Sequence, residues 1–256
     1  MLLAIDVGNT QTVIGVFDRE LLHNWRISTH PLKTADEWAL SLSELLTIEG
    51  LKIDGIKEAV IASVVPDATQ ALNKMCRNTL KLDPLFLGPD VKNTITIKTD
   101  NPQEVGADRI ANAAAAYELY GGSVIVVDVG TATTFDVISS KGEYLGGVIA
   151  PGVETSLKAL TERAARLSDV AIEKPVNVIG KNTTESLQSG VVYGFAGQID
   201  TLVGKIIDEL GEDAGDVKVI ATGGLADLVI GACKTITDKD PLLTLKGLKI
   251  IFDSNK

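Results

Sequence analysis

One pattern occurs twice in this chain, and it restricts the fold more than any other feature. Leu2 to Asp6 is an apolar run ending in a carboxylate; the chain then turns through Gly8-Asn9-Thr10 and resumes as Thr12 to Asp18. Val124 to Asp128 does the same, turning through Gly130-Thr131-Ala132 and resuming as Thr133 to Ser139. An apolar run broken by Asp-Val-Gly and followed by another apolar run reads as two strands joined by a tight turn. Finding it in each half points to a duplicated unit.

The segments around these hairpins extend the parallel. In the first half, Leu21 to Thr29 follows Arg19-Glu20 as a third strand, so the chain starts with an antiparallel meander. Thr34-Ala-Asp-Glu carries a capping-box signal, and Trp38, Leu42, Leu45 and Leu46 recur at helical spacing through Ile48. Glu58 to Val64 reads as a buried strand and Asp67 to Leu80 as a helix, giving βββαβα. A helix is expected from Pro102 through Tyr117, closing at Gly121-Gly122. The meander then returns, with Glu143 to Ala150 as its third strand and Lys141-Gly142 as the hairpin turn. Helices are expected at Val153 to Ala165 and Thr183 to Leu210, a strand at Val217 to Ala221 and a helix after Gly223-Gly224. Residues 1–115 and 116–256 are read as two α/β domains with a nucleotide cleft between them.

Composition narrows the function classes. A chain of 256 residues with 45% hydrophobic and 23% charged residues has the makings of a globular protein with a sizeable core. No apolar stretch approaches the roughly 20 residues that span a bilayer, and no basic segment precedes the first strand, so a cytoplasmic protein is expected. A net charge of -10 argues against nucleic-acid or acidic-membrane partners. It leaves room for an anionic nucleotide held by backbone N–H groups. Cys76 and Cys233 have no metal-ligand spacing and read as buried thiols.

Several residues have the chemistry for phosphoryl transfer. Gly8 is expected to adopt a backbone conformation closed to other residues, with Asn9 and Thr10 offering donors at the apex. Asp6 could hold Mg²⁺ through water. An ordinary Asn/Gly turn with a solvated Asp explains the first turn equally well, but its recurrence at Asp128 does not favour that explanation. Ala221-Thr-Gly-Gly, between strand and helix, is a third glycine-rich element that could face a nucleotide. Asp108, early in an Ala-rich helix, is a carboxylate suited to orient an alcohol and accept its proton. Arg109 beside it could bind a carboxylate in a bidentate fork. His23 and His30 read as ordinary strand or surface residues, and Glu162-Arg-Ala-Ala-Arg166 as a solvated cluster.

These turns resemble those of the actin-like superfamily of sugar kinases, heat-shock chaperone ATPases and acetate kinase. Asp6-Val-Gly-Asn-Thr, Ser63-Val-Val-Pro, Asp100 to Asn112, Asp128 to Asp136, Gly146 to Gly152, Gly180-Lys-Asn-Thr183 and Ala221-Thr-Gly-Gly224 resemble type III pantothenate kinases nearly from end to end. Gly106-Ala-Asp-Arg109 is the most specific of these segments.

The resemblance implies an α/β fold of duplicated actin-like (ribonuclease H-like) domains. It also implies transfer of the ATP γ-phosphate to the 4'-hydroxyl of pantothenate, the first step of coenzyme A biosynthesis. On the matching positions, Asp108 is the catalytic base, and Gly106, Ala107, Asp108, Arg109 and Thr183 bind pantothenate. Asp6, Val7, Gly8, Asn9, Thr10, Gln11, Thr12 and Val13, with Thr131, bind ATP. Asp128 matches a monovalent-cation position, K⁺ or NH₄⁺, beside Mg²⁺, and members resemble one another in forming homodimers with the substrate site at the subunit interface. Thr183 also reads as a helix N-cap. Thr99 departs from the Tyr that many members place before Asp-Asn-Pro. Two other classes fit the turns: a nucleotide-gated binding protein, which has no need of Gly-Ala-Asp-Arg or Thr183, and another small-molecule kinase or a polyphosphate phosphatase of the superfamily.

Overall fold

The computed structural model describes residues 1–163 and 171–256. Both expected meanders are present. In the first sheet the strand order is β3-β2-β1-β4-β5, formed by β1 (Leu2–Val7), β2 (Gln11–Phe17), β3 (Leu21–Ser28), β4 (Glu58–Ser63) and β5 (Leu85–Phe86). β1 pairs antiparallel with β2, Asp6 facing Val13, and parallel with β4, Asp6 facing Ala62. A strand with neighbours on both sides and cover on both faces must be apolar nearly throughout. Leu2 to Ile5 are accordingly buried.

One face of β1, carrying Leu3, Ile5 and Val7, packs with Trp38, Leu42 and Leu46 of α1 (Ala35–Ile48) and Leu72 and Met75 of α2 (Pro66–Met75). Each such buried side chain is worth about 1.5–3 kcal/mol of transfer free energy. The expected capping box starts α1: Glu37 N–H donates to Thr34 Oγ1 at 3.3 Å, and Thr34 N–H donates to Glu37 Oε2 at 2.7 Å. Those bonds hold the exposed Glu37 carboxyl below its ordinary range. The helix expected over 67–80 is α-helical only to Met75 and finishes in a π-helical turn, Cys76–Leu80.

The second sheet runs β11-β10-β7-β8-β9-β6. Its strands are β6 (Thr96–Ile97), β7 (Ser123–Val129), β8 (Ala132–Ile138), β9 (Glu143–Pro151), β10 (Val217–Thr222) and β11 (Asp238–Lys239). Asp128 faces Thr134 on β8 and Thr222 on β10, repeating the pairing of Asp6. Ile125, Val127 and Val129 pack against Ile199, Val203 and Ile207 of α5 (Thr183–Leu210). In both sheets the two carboxylates therefore lie on the face opposite these helices, because successive strand residues alternate. α4 is described over Val153–Arg163; the last two residues of the helix expected over 153–165, and Ala164 to Arg166 of the charge cluster, lie outside the described residues.

Two compact units result. The first holds Met1–Thr96, Asp100–Ala115 and Leu243–Lys256; the second holds Ile97–Thr99 and Ala116–Leu242. The sequence division kept 116–256 together, whereas α7 (Leu243–Ser254) packs on β1, β2 and β4 of the first unit. Short α6 (Ala226–Val229) follows β10.

Candidate active site

In the first unit, Asp6 is half-buried at the end of β1, and Asn9, Thr10 and Gln11 are exposed at the apex of the turn. The turn is braced from below. Gly8 N–H donates to Gln11 O at 3.0 Å, Thr29 N–H to Thr10 O at 3.0 Å, and Thr29 Oγ1 to Gly8 O at 2.8 Å. The Thr12 and Thr29 hydroxyls, both buried, meet at 3.0 Å. Gly8 does not take the positive φ expected of it; a Cβ there would instead lie 3.1 Å from Gln11 O. Glycine is favoured by close approach of the backbone, not by handedness. Thr29 is the residue that sequence reading missed, since nothing local marks a strand-end Thr as a brace.

The second turn is enclosed by backbone. Gly130 N–H donates to Ala132 O at 2.9 Å, and Gly152 N–H and Thr155 Oγ1 donate to Thr131 O at 3.2 and 2.8 Å. Leu225 N–H donates to Val129 O at 3.0 Å. Gly223 has φ +96°, and a Cβ on it would sit 2.4 Å from Asp128 Oδ1 and 2.5 Å from Val129 O. Glycine at 223 thus lets the chain pass close to two oxygens, Asp128 Oδ1 and Val129 O, the donor type that hard cations take. Nearby, a cavity of about 430 Å³ is lined by Glu154, Ile172, Gly224, Leu225, Asp227 and Leu228. Among the described residues no group of three or more His, Cys, Asp or Glu could hold a metal by itself.

The Gly-Ala-Asp-Arg segment builds the third element. The helix expected from Pro102 is interrupted: Pro102–Glu104 is a 3₁₀ turn, Val105 is extended, and α3 (Ala107–Tyr120) starts afresh. Ile110 N–H donates to Gly106 O at 3.0 Å, so Gly106 caps the helix and Asp108 is its second residue. The positive end of the helix dipole favours an anion there. Asp108 Oδ1 accepts from Arg109 N–H at 2.8 Å, and a Cβ on Gly106 would lie 2.5 Å from that same oxygen. Gly106 thus leaves room for the carboxylate to fold over the helix end. Asp108 and Arg109 are both half-buried.

Thr183 opens α5 without capping it. Asn182 is the cap, its Oδ1 accepting from Glu185 N–H at 2.9 Å, and Thr183 is exposed. The remaining candidates are structural. His23 Nδ1 lies 3.2 Å from Glu49 Oε2 and its ring stacks on Trp25. Burial raises the Cys76 and Cys233 thiols to about 11, so both are protonated at neutral pH. The Thr99 hydroxyl is buried and makes no hydrogen bond among the described residues.

With this geometry in hand, comparison with known proteins is decisive. A sequence profile of the type III pantothenate kinases matches residues 2–205. The chain is 51% identical to the type III pantothenate kinase of Streptomyces coelicolor, covering 100% of this chain and 98% of the relative. It is 50% identical to that of Moorella thermoacetica, covering 100% of both.

The chain belongs to the type III pantothenate kinase family.

Solved structures show the fold of this family member more widely. The activator of 2-hydroxyisocaproyl-CoA dehydratase from Clostridium difficile, with bound ADPNP, superposes with a TM-score of 0.56 at 11% identity, covering 99% of this chain and 95% of that one. Component A of (R)-2-hydroxyglutaryl-CoA dehydratase from Acidaminococcus fermentans gives 0.55 at 14% identity, covering 100% and 99%. With the two mixed sheets, these place the chain among duplicated actin-like α/β folds, as expected from the repeated turns.

Proposed function

We propose that the chain phosphorylates pantothenate, transferring the ATP γ-phosphate to its 4'-hydroxyl, with Asp108 as the catalytic base. The observation that carries this is the placement of Asp108 at the second position of α3, with room for its carboxylate made by Gly106, in a chain of this family. Asp108 orients the hydroxyl and accepts its proton as the P–O bond forms. Arg109, with Gly106, Ala107 and Thr183, binds pantothenate; its guanidinium suits the substrate carboxylate. The Thr183 hydroxyl is open to this role because Asn182 does the capping.

Asp6 to Val13 and Thr131 bind ATP. The exposed Asn9-Thr10-Gln11 apex supports this, since its backbone and side-chain groups are open to phosphate oxygens. A kinase of this family uses ATP and a divalent metal. When bound, Mg²⁺ held through Asp6 and a monovalent cation, K⁺ or NH₄⁺, at Asp128 supply positive charge against that of the phosphates. The approach of Asp128 Oδ1 and Val129 O to the same point beside Gly223 supports the second ion, since both are oxygen donors.

The enzyme works as a homodimer in the cytoplasm. Val176, Ile179, Val178 and Ile149 are 96%, 82%, 63% and 65% exposed, which fits apolar surface covered by a second copy, and both cysteines are free thiols. No helix among the described residues is long and apolar enough to cross a membrane. The test is ³¹P NMR of mixtures of chain, ATP, Mg²⁺ and pantothenate with K⁺ or Na⁺. Phosphorylated pantothenate forming with K⁺ and much more slowly with Na⁺ is the expected result. ATP consumed without that product would overturn the reading.

A further inference from the structure

α3 carries Asp108 on its first turn, and apart from Ile110 and Asn112 its fully buried side chains are small. Ala111, Ala113, Ala114 and Ala115 are all fully buried. A smooth alanine surface allows close approach but supplies no interlocking side chains against sliding or rotation. What meets it at Ala111 and Asn112 is α7, a segment more than a hundred residues later in sequence.

Two α7 residues spaced i, i+3 make the contact. A Cβ on Gly247 would fall 1.9 Å from Ala111 O and 2.5 Å from Ala111 C, so the two helix backbones touch there. Three residues earlier, Thr244 Oγ1 donates to Asn112 Oδ1 at 2.7 Å, and Asn112 is 1% exposed. A buried hydrogen bond is directional and costly to break, whereas apolar contact is not directional. It gives the alanine surface a register. α7 is itself fixed to the sheet that bears Asp6. Leu245 meets β2 where Gly15 lacks a side chain, a Cβ at Gly15 falling 2.9 Å from Leu245 Cδ1. Leu243, Leu248 and Ile251 are buried, and Asn255 Nδ2 donates to Lys92 O at 2.6 Å.

We infer that Thr244 is a positioning residue for phosphoryl transfer: through Asn112, with Gly247 setting the helix spacing, it fixes α3 and so Asp108 relative to β1 and Asp6. This rests on the reading of Asp108 as the base. Asn112 lies one helical turn beyond Asp108, about 6 Å along the axis. A rigid helix passes any slip at Asn112 to the carboxylate undiminished. Displacement on the order of 1 Å at a reacting group is enough to slow chemistry severely.

The experiment is steady-state kinetics on the full chain with ATP, Mg²⁺, K⁺ and pantothenate for wild type, Thr244→Val, Thr244→Ser and Asp108→Asn, with the melting temperature of each. Thr244→Val keeps the shape and removes the donor. It should lower kcat about tenfold with KM for ATP unchanged, and Thr244→Ser, which keeps the hydroxyl, should restore kcat to within about twofold. Wild-type kcat in Thr244→Val with only the melting temperature lowered would show a purely structural bond and overturn the inference, even where Asp108→Asn is inactive. An active Asp108→Asn would overturn the base reading itself, and this inference with it.

Discussion

The two Asp-Val-Gly turns occupy matching places in their sheets yet are built differently. The turn after Asp6 has an exposed apex and is held from beneath by a buried Thr12–Thr29 pair. The turn after Asp128 is one residue shorter and is closed by backbone from Gly152, Gly223 and Leu225. Duplication preserved the strand register, because a shift of one residue would have turned every core side chain outward. It did not preserve the turns, whose register is set by strands on either side. The difference suits the proposed division of labour: an open turn for phosphates and a rigid oxygen-lined one for a cation.

Glycine substitutions test that contrast with the largest effects. Gly223→Ala forces a Cβ against Val129 O at a positive φ and should destabilise by about 3 kcal/mol in urea unfolding. Gly8→Ala, with only a 3.1 Å approach to relieve, should cost about 1 kcal/mol. Equal losses would mean the two turns are equally rigid. Gly106→Ala separates stability from activity. Its Cβ clashes with the Asp108 carboxylate alone and reaches Arg109 Cγ only at an ordinary 3.9 Å, so kcat should fall about tenfold while the unfolding midpoint barely moves.

Much of this was legible in sequence, for a reason that also marks the limit. Strands, the Thr34 capping box and the span of α5 are written in local periodicity and cap chemistry. The Asp turns were legible because they recur. The break before Ala107 was not, since Pro102 and the Ala-rich run read as one helix until Val105 is seen to be extended. Asn182 displaced Thr183 as the cap because both residue types suit that position. Nothing local could show that α7 returns to the first sheet or that Thr29 supports Gly8, because both contacts are tertiary.

Smaller effects report on each unit separately. Cys76 lies in the first unit and Cys233 in the second, and both thiols are raised to about 11 by burial. Thiol labelling at pH 8 should therefore be slow at both in wild type. In Gly223→Ala it should quicken at Cys233 and not at Cys76; quickening at both would show that the units unfold together. Tyr120 gives the smallest effect. Burial, and then the nearby Asp240 and Asp238, push its hydroxyl from 10.0 up to about 12. A raised value in the folded state means its stabilisation is complete below about pH 10 and is lost as pH climbs toward 12. Tyr120→Phe should flatten the alkaline loss of stability in that window, measured by urea midpoint against pH.

The most direct measurement is ADP release with pantothenate present and absent, for wild type and Asp108→Asn, at saturating ATP, Mg²⁺ and K⁺. The account predicts release that depends on pantothenate and falls about a thousandfold in the variant, with KM for ATP unchanged. Release that proceeds equally without pantothenate, or a variant as fast as wild type, would contradict it.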